Sequence, residues 1–586
     1  MFLEKIESPA DLKKLSLSEL TALADEMRKA LIEKNSACGG HLASNLGVVE
    51  LTIALHYVFN SPVDKIIFDV SHQTYCHKML TGRSAAFINP DKYSSVSGYT
   101  YPDESEHDQF SIGHTSTSIS LACGYAKARD ALGNSENIVA IIGDASLDGG
   151  EAFEALNYAG EIEGGLIVVV NDNDMSIPEN HGSLCGKLTE LRNNNGEIKD
   201  NYFKSLGFNY VFVKNGHDVE AVISALQKVK DIKEKVIVHV CTQKGKGYAP
   251  AENDREKWHW AHPFNVETGE FISNVPKENY GAICREFLLD KMKRDKKVMV
   301  IAASTPLCIG FNAENRAKAG SQFMDVGIAE QNGITIAAAM AKYGCKPVFA
   351  TNSTFYQRAY DQIEQEMCIN KCPATMIVTH ASVFGHSNDT HHGLLDMALL
   401  GNIPGLKYLA PTNKQEYLAM LDWSIDQKHE PVAIRVPWTG VTYADYEVDK
   451  DYTEIRYKET QKGSKVAILA LGGFYSLGIQ AASVLEDKTG IKPTLINPRF
   501  ITGVDEECLE ELKKNHSTVV TIEDGIISGG FGSKIAQYYS ESSVRVLNCG
   551  FSMDIPNRYV PAELMDSNGL KPEKIADKAI AVLKTL

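Results

Sequence analysis

Three consecutive α/β domains with mainly parallel sheets are the fold predicted for this chain of 586 residues. Length is the first indication, since one hydrophobic core does not extend over so many residues and three or four domains are expected. The second is a recurring alternation of short apolar runs with amphipathic stretches, the pattern of βαβ units in a parallel sheet. It is plainest over residues 137–176, where the run 138–142 stops at Gly143-Asp144 and the run 166–170 stops at Asn171-Asp172-Asn173. Between them a Gly-Gly pair opens a helix with Ala152, Phe153, Ala155, Leu156 and Ala159 as its apolar stripe.

Taken in order, residues 11–34 read as a helix with Leu12, Leu15, Leu17, Leu20, Leu23, Met27 and Leu31 on one side. The Gly-rich turn GGHLASNLG, 39–47, places His41 ahead of the helical VVELTIALHYVF, and the strand 66–70 ends at Ser71-His72. FSIGHTSTSIS sets His114 and Ser116 at the start of an Ala/Gly-rich helix. Any one of these histidines reads equally as a loop or cap residue; three in the same setting, a polar cluster leading into a helix, make a pattern. Residues 180–200 are polar and Asn/Gly-rich and read as a mobile loop. A strand at 236–241 leads to TQKGKGYAPAE. The stretch from about 252 to 295, with Trp258, His259, Trp260 and His262 among charges and turn formers, reads as a connector closing a first domain of residues 1–280. A second domain, 296–440, carries strand candidates VMVIAAS, PVFAT, ATMIVTH, YLAP and VAIRVP. After the charged linker 441–463 a third, 460–586, carries VAILALG, TLINPRF and TVVTIED.

Asp144 and Asn173, 29 residues apart, fall just past the carboxyl ends of two parallel strands, the edge where open α/β sheets bind ligands. A carboxylate and an amide oxygen converging there suit Mg²⁺, which takes one or two protein oxygens and completes its shell with phosphate and water. A helix opening at Gly149-Gly150 points unpaired N–H groups at the same edge, which favours a diphosphate. A strand–turn–helix with polar turn residues and no ligand fits these residues equally well.

Composition narrows the class. Hydrophobic and charged fractions of 44% and 23% are those of a globular protein. A net charge of −16 without a long basic run argues against nucleic acid or an anionic membrane as partner. No apolar stretch approaches the roughly 20 residues that span a bilayer, and the N-terminal segment has no hydrophobic signal core. Twelve cysteines without CxxC pairs read as free thiols in a reducing compartment, so a cytoplasmic enzyme is expected.

Longer matches extend the reading. The Gly-Asp opening and the Asn ending are similar to the thiamin-diphosphate motif, with Ala145 where Gly-Asp-Gly is usual. GGHLASNLGVVELTIALHYVF, HKMLTGR, GHTSTSIS, EAFEALNYAG, KGKGYAPAE, MDVGIAEQ, STFYQRAYDQ and THHG follow in order along nearly the whole chain. On these residues the chain resembles the transketolase superfamily and, within it, the 1-deoxy-D-xylulose-5-phosphate synthases. The resemblance implies a transketolase-like fold, a homodimer, bound thiamin diphosphate and Mg²⁺, and a third domain with a mainly structural role. It implies pyruvate as donor, an aldehyde as acceptor, and a place in isoprenoid and thiamine biosynthesis. Asp144, Asn173 and the backbone carbonyl of Met175 become the metal ligands. His72, His114, Ser116, Gly143, Ala145, Ser146 and Tyr248 become cofactor contacts.

Within MDVGIAEQ, Glu330 stands among apolar neighbours that hold its proton more tightly. The resemblance has this carboxyl hydrogen-bond the cofactor's aminopyrimidine and so activate thiazolium C2, with Phe355 stacked on the pyrimidine. Without the surrounding matches Glu330 reads as a capping acid and Phe355 as core. His41, His72, His259 and His391 match positions that contact cofactor or substrate, and are assigned to proton transfer or orientation.

The acceptor side departs from the family. Two arginines that clamp the acceptor phosphate correspond here to His380 and Trp438, a tyrosine to Asn352, and an aspartate to Ser387, with Asp389 two residues on. Tryptophan is a single neutral donor and cannot replace an arginine fork. Two lost contacts cost about 3–6 kcal/mol if hydrogen bonds to charged groups carry 1.5–3 each. Either Arg358 and Arg435 with His380, His386, His391 and His392 compensate, or the aldehyde differs. A transketolase and the decarboxylating subunit of a 2-oxoacid dehydrogenase complex are the alternatives in reaction type.

Overall fold

The structure is a computed structural model that describes residues 1–272, 278–384 and 388–585. It contains two compact units, Met1–Val275 with Gly327–Ala329, and Pro276–Val326 with Glu330–Leu586. The first holds one sheet and the second holds two.

In the first unit β1 (Lys65–Phe68), β2 (Ile138–Gly143), β3 (Leu166–Asp172), β4 (Asn209–Val213) and β5 (Lys235–Cys241) line up in the order β1-β2-β3-β5-β4, all parallel. β2 and β3 are buried on both faces, which is why they read as unbroken apolar runs rather than alternating ones. The expected helix over 11–34 is two. Pro9–Leu12 comes first, and Leu17–Cys38 starts afresh at Ser16, which forms a capping box with Glu19.

Three expectations change here. Residues Ser183–Asn193 form a helix rather than a mobile loop, because Cys185, Leu188 and Leu191 share a face that packs inward despite the polar composition. The stretch after 252 is not a bare connector. Trp258, Ala261 and Phe264 are buried in the first unit's core, and Gly40 and Ala261 exchange backbone hydrogen bonds of 2.9 and 2.8 Å. On the helix Gly150–Tyr158, Ala152, Ala155 and Leu156 are buried, whereas Phe153 is 40% exposed and leaves the apolar stripe.

In the second unit β6 (Val298–Ala302), β7 (Phe323–Asp325), β8 (Lys346–Asn352), β9 (Thr375–Thr379), β10 (Lys407–Leu409) and β11 (Val432–Arg435) form a parallel sheet in the order β10-β11-β9-β8-β6-β7. β12 (Lys458–Gln461), β13 (Lys465–Ala470), β14 (Thr494–Asn497), β15 (His516–Ile526) and β16 (Arg545–Phe551) form the other, in the order β12-β14-β13-β15-β16, antiparallel only at β12. One apolar cluster runs through both sheets, from Ile301 and Met376 to Leu469 and Val519. The five strand candidates of the middle domain and the three of the last all correspond to strands. β4, β7, β12 and β16, short or at sheet edges, carry too little apolar signal to have been read.

Candidate active site

Because β1, β2, β3 and β5 run parallel, the residues that follow them collect along one edge of the sheet. His72 comes after β1, Asp144 after β2, Asn173 after β3 and Lys244 after β5. Asp144 N donates to Asn171 O at 3.1 Å, which ties the end of β2 to the end of β3. The turn after β1 is strained: Val70 and Ser71 have φ of 59° and 63°, rare for non-glycine residues and above all for a β-branched one. Ser71 is held there by Oγ donating to Ile112 O at 2.6 Å and accepting Thr100 N at 3.0 Å.

Asp69, wholly buried, was not singled out by the sequence. Its carboxylate accepts Ser116 N at 2.8 Å and Ser118 N at 3.0 Å, closing the start of the helix Ser118–Leu132. Ser116 Oγ in turn donates to Ser146 O at 2.8 Å, and a Cβ on Gly149 would come within 2.1 Å of that hydroxyl, so only glycine fits. Ser116, Gly143, Asp144, Ala145 and Ser146 are thereby brought together, with His114 in the same loop as Ser116.

Asp144 is buried and accepts Asn180 Nδ2 at 2.7 Å. Burial, and then the charge of Asp172, push its carboxyl up to about 8. Burial acts on Asp172 too, but hydrogen bonds and charge from His239, at 2.7 Å, and Arg192 outweigh it and hold that carboxyl low. Asn173 Oδ1 accepts Met175 N at 3.1 Å and folds the turn. Asp144, Asn173 and the Met175 carbonyl offer only oxygen donors, which fits a hard divalent cation. Such a cation would replace the proton that burial favours on Asp144.

The expected histidines of the first unit meet. Ring centroids are 4.9 Å apart for His41 and His72, 5.4 Å for His41 and His259, and 5.4 Å for His72 and His259. Tyr99 and Trp260 stand edge-on to His41 at 5.8 and 4.6 Å. Burial, with the Lys244 charge adding to it, pushes His72 down to about 3 and holds His259 well below its ordinary value, so both rings are neutral at pH 7. Their buried Nδ1 atoms have no hydrogen-bond partner among the described residues, an unusual condition that a polar ligand relieves. Lys244, missed by the sequence reading, is buried and pushed down to about 7, and its Nζ donates to Ser176 O at 2.5 Å. Its signal was present: the first lysine of a Lys-Gly-Lys-Gly run three residues past the end of β5.

In the second unit Glu330 begins the helix Glu330–Tyr343 and is buried. Burial raises its pKa against the opposing charge of Arg358, and Oε2 has no hydrogen-bond partner among the described residues. Phe355 stands edge-on to His391 at 5.7 Å, and His391 Nδ1 lies 2.8 Å from Thr390 Oγ1. His380 lies against Trp438 with ring centroids 4.1 Å apart.

Two expected contacts are corrected. Arg435 is buried, with Nε donating to Asp396 at 2.7 Å, Nη1 paired with Asp524, and Nη2 donating to Gly393 O at 3.1 Å. A fork filled by two carboxylates is a structural ion pair, not a substrate clamp. Tyr248 packs in the core against Trp258 and Phe264, and its hydroxyl donates to Val266 O at 3.0 Å. His386 and Ser387 lie outside the described residues.

Comparison with known proteins gives the family. Residues 277–440 match the profile of the transketolase pyrimidine-binding domain and residues 456–575 that of the transketolase C-terminal domain, which makes this a transketolase-type thiamin-diphosphate fold. Residues 3–198 and 194–242 match the 1-deoxy-D-xylulose-5-phosphate synthase profile. The chain is 40% identical to the synthase of Caldanaerobacter subterraneus over 100% of its own length and 99% of that protein. It is 39% identical to the synthase of Alkaliphilus oremlandii over 98% of each. The chain belongs to the 1-deoxy-D-xylulose-5-phosphate synthase family. Among solved structures, a transketolase from Campylobacter jejuni is 17% identical with a TM-score of 0.43, covering 97% of this chain and 100% of that one.

Proposed function

We propose that the protein is a thiamin-diphosphate-dependent carboligase that decarboxylates pyruvate and joins the two-carbon unit to an aldehyde, by default glyceraldehyde 3-phosphate, as in 1-deoxy-D-xylulose-5-phosphate synthases. What carries this reading is the full-length match to the synthases, and Asp144, Asn173 and Glu330 are the residues whose sequence motifs resemble that family's. Asp144, Asn173 and the Met175 carbonyl would hold Mg²⁺. Ser116, Gly143, Ala145, Ser146 and Lys244, with His114, would receive the diphosphate. Thiamin diphosphate, when bound, supplies the carbon nucleophile and the electron sink for decarboxylation.

The chain's own residues do the rest. Burial leaves Glu330 protonated at higher pH than an exposed carboxylate, so it donates a hydrogen bond to a ring nitrogen, and Phe355 offers an aromatic face. His41, His72 and His259, with two open imidazole nitrogens, orient the pyruvate carboxylate and move protons on and off oxygen. His391 serves the acceptor side. Arg358 and His380 are the groups left for the aldehyde's polar end, since Arg435 is engaged elsewhere.

Incubation with pyruvate, thiamin diphosphate, Mg²⁺ and a panel of aldehydes tests the reading, with CO₂ and ketose product measured. Turnover with the phosphorylated triose supports the default acceptor, and turnover only with other aldehydes replaces it. No CO₂ from pyruvate with any aldehyde sinks the proposal. A homodimer accords with the exposure of Phe153 and Tyr158 on the helix Gly150–Tyr158, and twelve free cysteines accord with a reducing cytoplasmic setting.

A further inference from the structure

We infer that Asn45 is the positioning residue that sets the spacing of His41 and His72. The inference rests on the proposed function for its consequence in turnover, though not for its geometry. Asn45 is completely buried in the short helix Leu42–Leu46. One amide nitrogen donates to the carbonyl of each histidine-bearing residue, His41 O at 2.7 Å and His72 O at 2.8 Å. Its Oδ1 accepts Tyr75 N at 2.9 Å, so both donors and one acceptor site of the amide are taken by backbone.

The two histidines come from segments some thirty residues apart, one before a helix and one after β1, and no strand pairing links those segments directly. Asn45 supplies that link. Further bonds complete the bracket: the Tyr75 hydroxyl accepts His41 N at 3.4 Å, and Ala43 N donates to Trp258 O at 3.1 Å beside His259. All three histidine segments are therefore tied to residues 40–45. Asparagine is singular here, since aspartate lacks both donors, and alanine would take this partner from two carbonyls and an amide at once.

The rings themselves provide a readout independent of turnover. In the protein supplied with thiamin diphosphate and Mg²⁺, histidine C2–H exchange in D₂O is followed by mass spectrometry for wild type, Asn45→Ala, Asn45→Asp and the control Thr52→Ala. Thr52→Ala also removes one buried bond, Oγ1 to Val48 O at 2.7 Å, but none to a histidine segment. Exchange of His41 and His72 rises in both Asn45 variants and not in Thr52→Ala, while His217 is unchanged in all. Where Asn45→Ala does not fold, Asn45→Asp, which keeps the Tyr75 bond, decides. In pyruvate decarboxylation at saturating thiamin diphosphate, kcat falls about tenfold or more. Exchange at wild-type rates in the Asn45 variants, or an equal rise in Thr52→Ala, overturns the inference. A wild-type protein that releases no CO₂ overturns the proposed function instead, and the exchange rates still judge Asn45.

Discussion

The edge of the first sheet and the arginine cluster of the second unit treat buried charge in opposite ways. Around His41, His72 and His259 the polar atoms are held by backbone but left open: two imidazole nitrogens are unpartnered among the described residues, and Lys244 is kept near half-charge. Around Arg435 the guanidinium is fully engaged from within, by Asp396, Asp524 and the Gly393 carbonyl. Open valences in a rigid frame mark where chemistry is done, and closed ones mark where the fold is held. Sequence alone offers Arg435 as a substrate contact beside the histidines, and its hydrogen bonds take it out of that set.

Four substitutions test the contrast. On the open side, Glu330→Gln should lower the rate of C2-proton exchange on bound cofactor by about 10²–10⁴, the range for a lost general acid–base partner. An unchanged rate would remove Glu330 from the chemistry. On the closed side, Arg435→Leu leaves two buried carboxylates unpaired and should cost about 3–5 kcal/mol in denaturant unfolding. A normal unfolding midpoint with a raised KM for the aldehyde would instead restore Arg435 as a substrate contact.

Lys244 gives a pH-dependent prediction. Burial depresses its pKa from 10.5 to about 7, so between those values the unfolded chain binds the proton that the folded chain has released. Stability attributable to this residue therefore rises with pH above about 7, by at most about 1.4 kcal/mol per pH unit. In cofactor-free protein melted from pH 7 to 9, the stability of wild type minus that of Lys244→Met should rise with pH at up to that slope. The smallest effect is expected at the acceptor side. Trp438→Arg adds one charged donor beside His380 and should lower KM for a phosphorylated aldehyde about tenfold relative to an unphosphorylated one. Equal change for both would show that Trp438 does not face the acceptor.

What the sequence disclosed follows from how local each signal is. Asp144 and Asn173 were visible because each ends a doubly buried strand, where an apolar run stops abruptly at a polar residue. Glu330 and the histidines were visible through long motif matches. Arg435 misled because Asp396 and Asp524 lie 39 and 89 residues away, beyond any local pattern. The helix Ser183–Asn193 was hidden by its polar composition, although Leu184, Leu188 and Leu191 keep helical spacing. Trp258 sat among charges that suggested a surface, and only tertiary packing buries it.

The Asp524–Arg435 pairing also bears on modularity. Asp524 lies on β15 and Arg435 on β11, so the last sheet provides the counter-ion for a cation at the end of the middle one. A fragment cut near residue 460 would therefore carry half its internal neutralisation missing along with the apolar cover of its core. The terminal domain is in this sense an electrostatic stopper, and exchanging it between relatives should succeed only where the incoming piece brings an acid to the same spot.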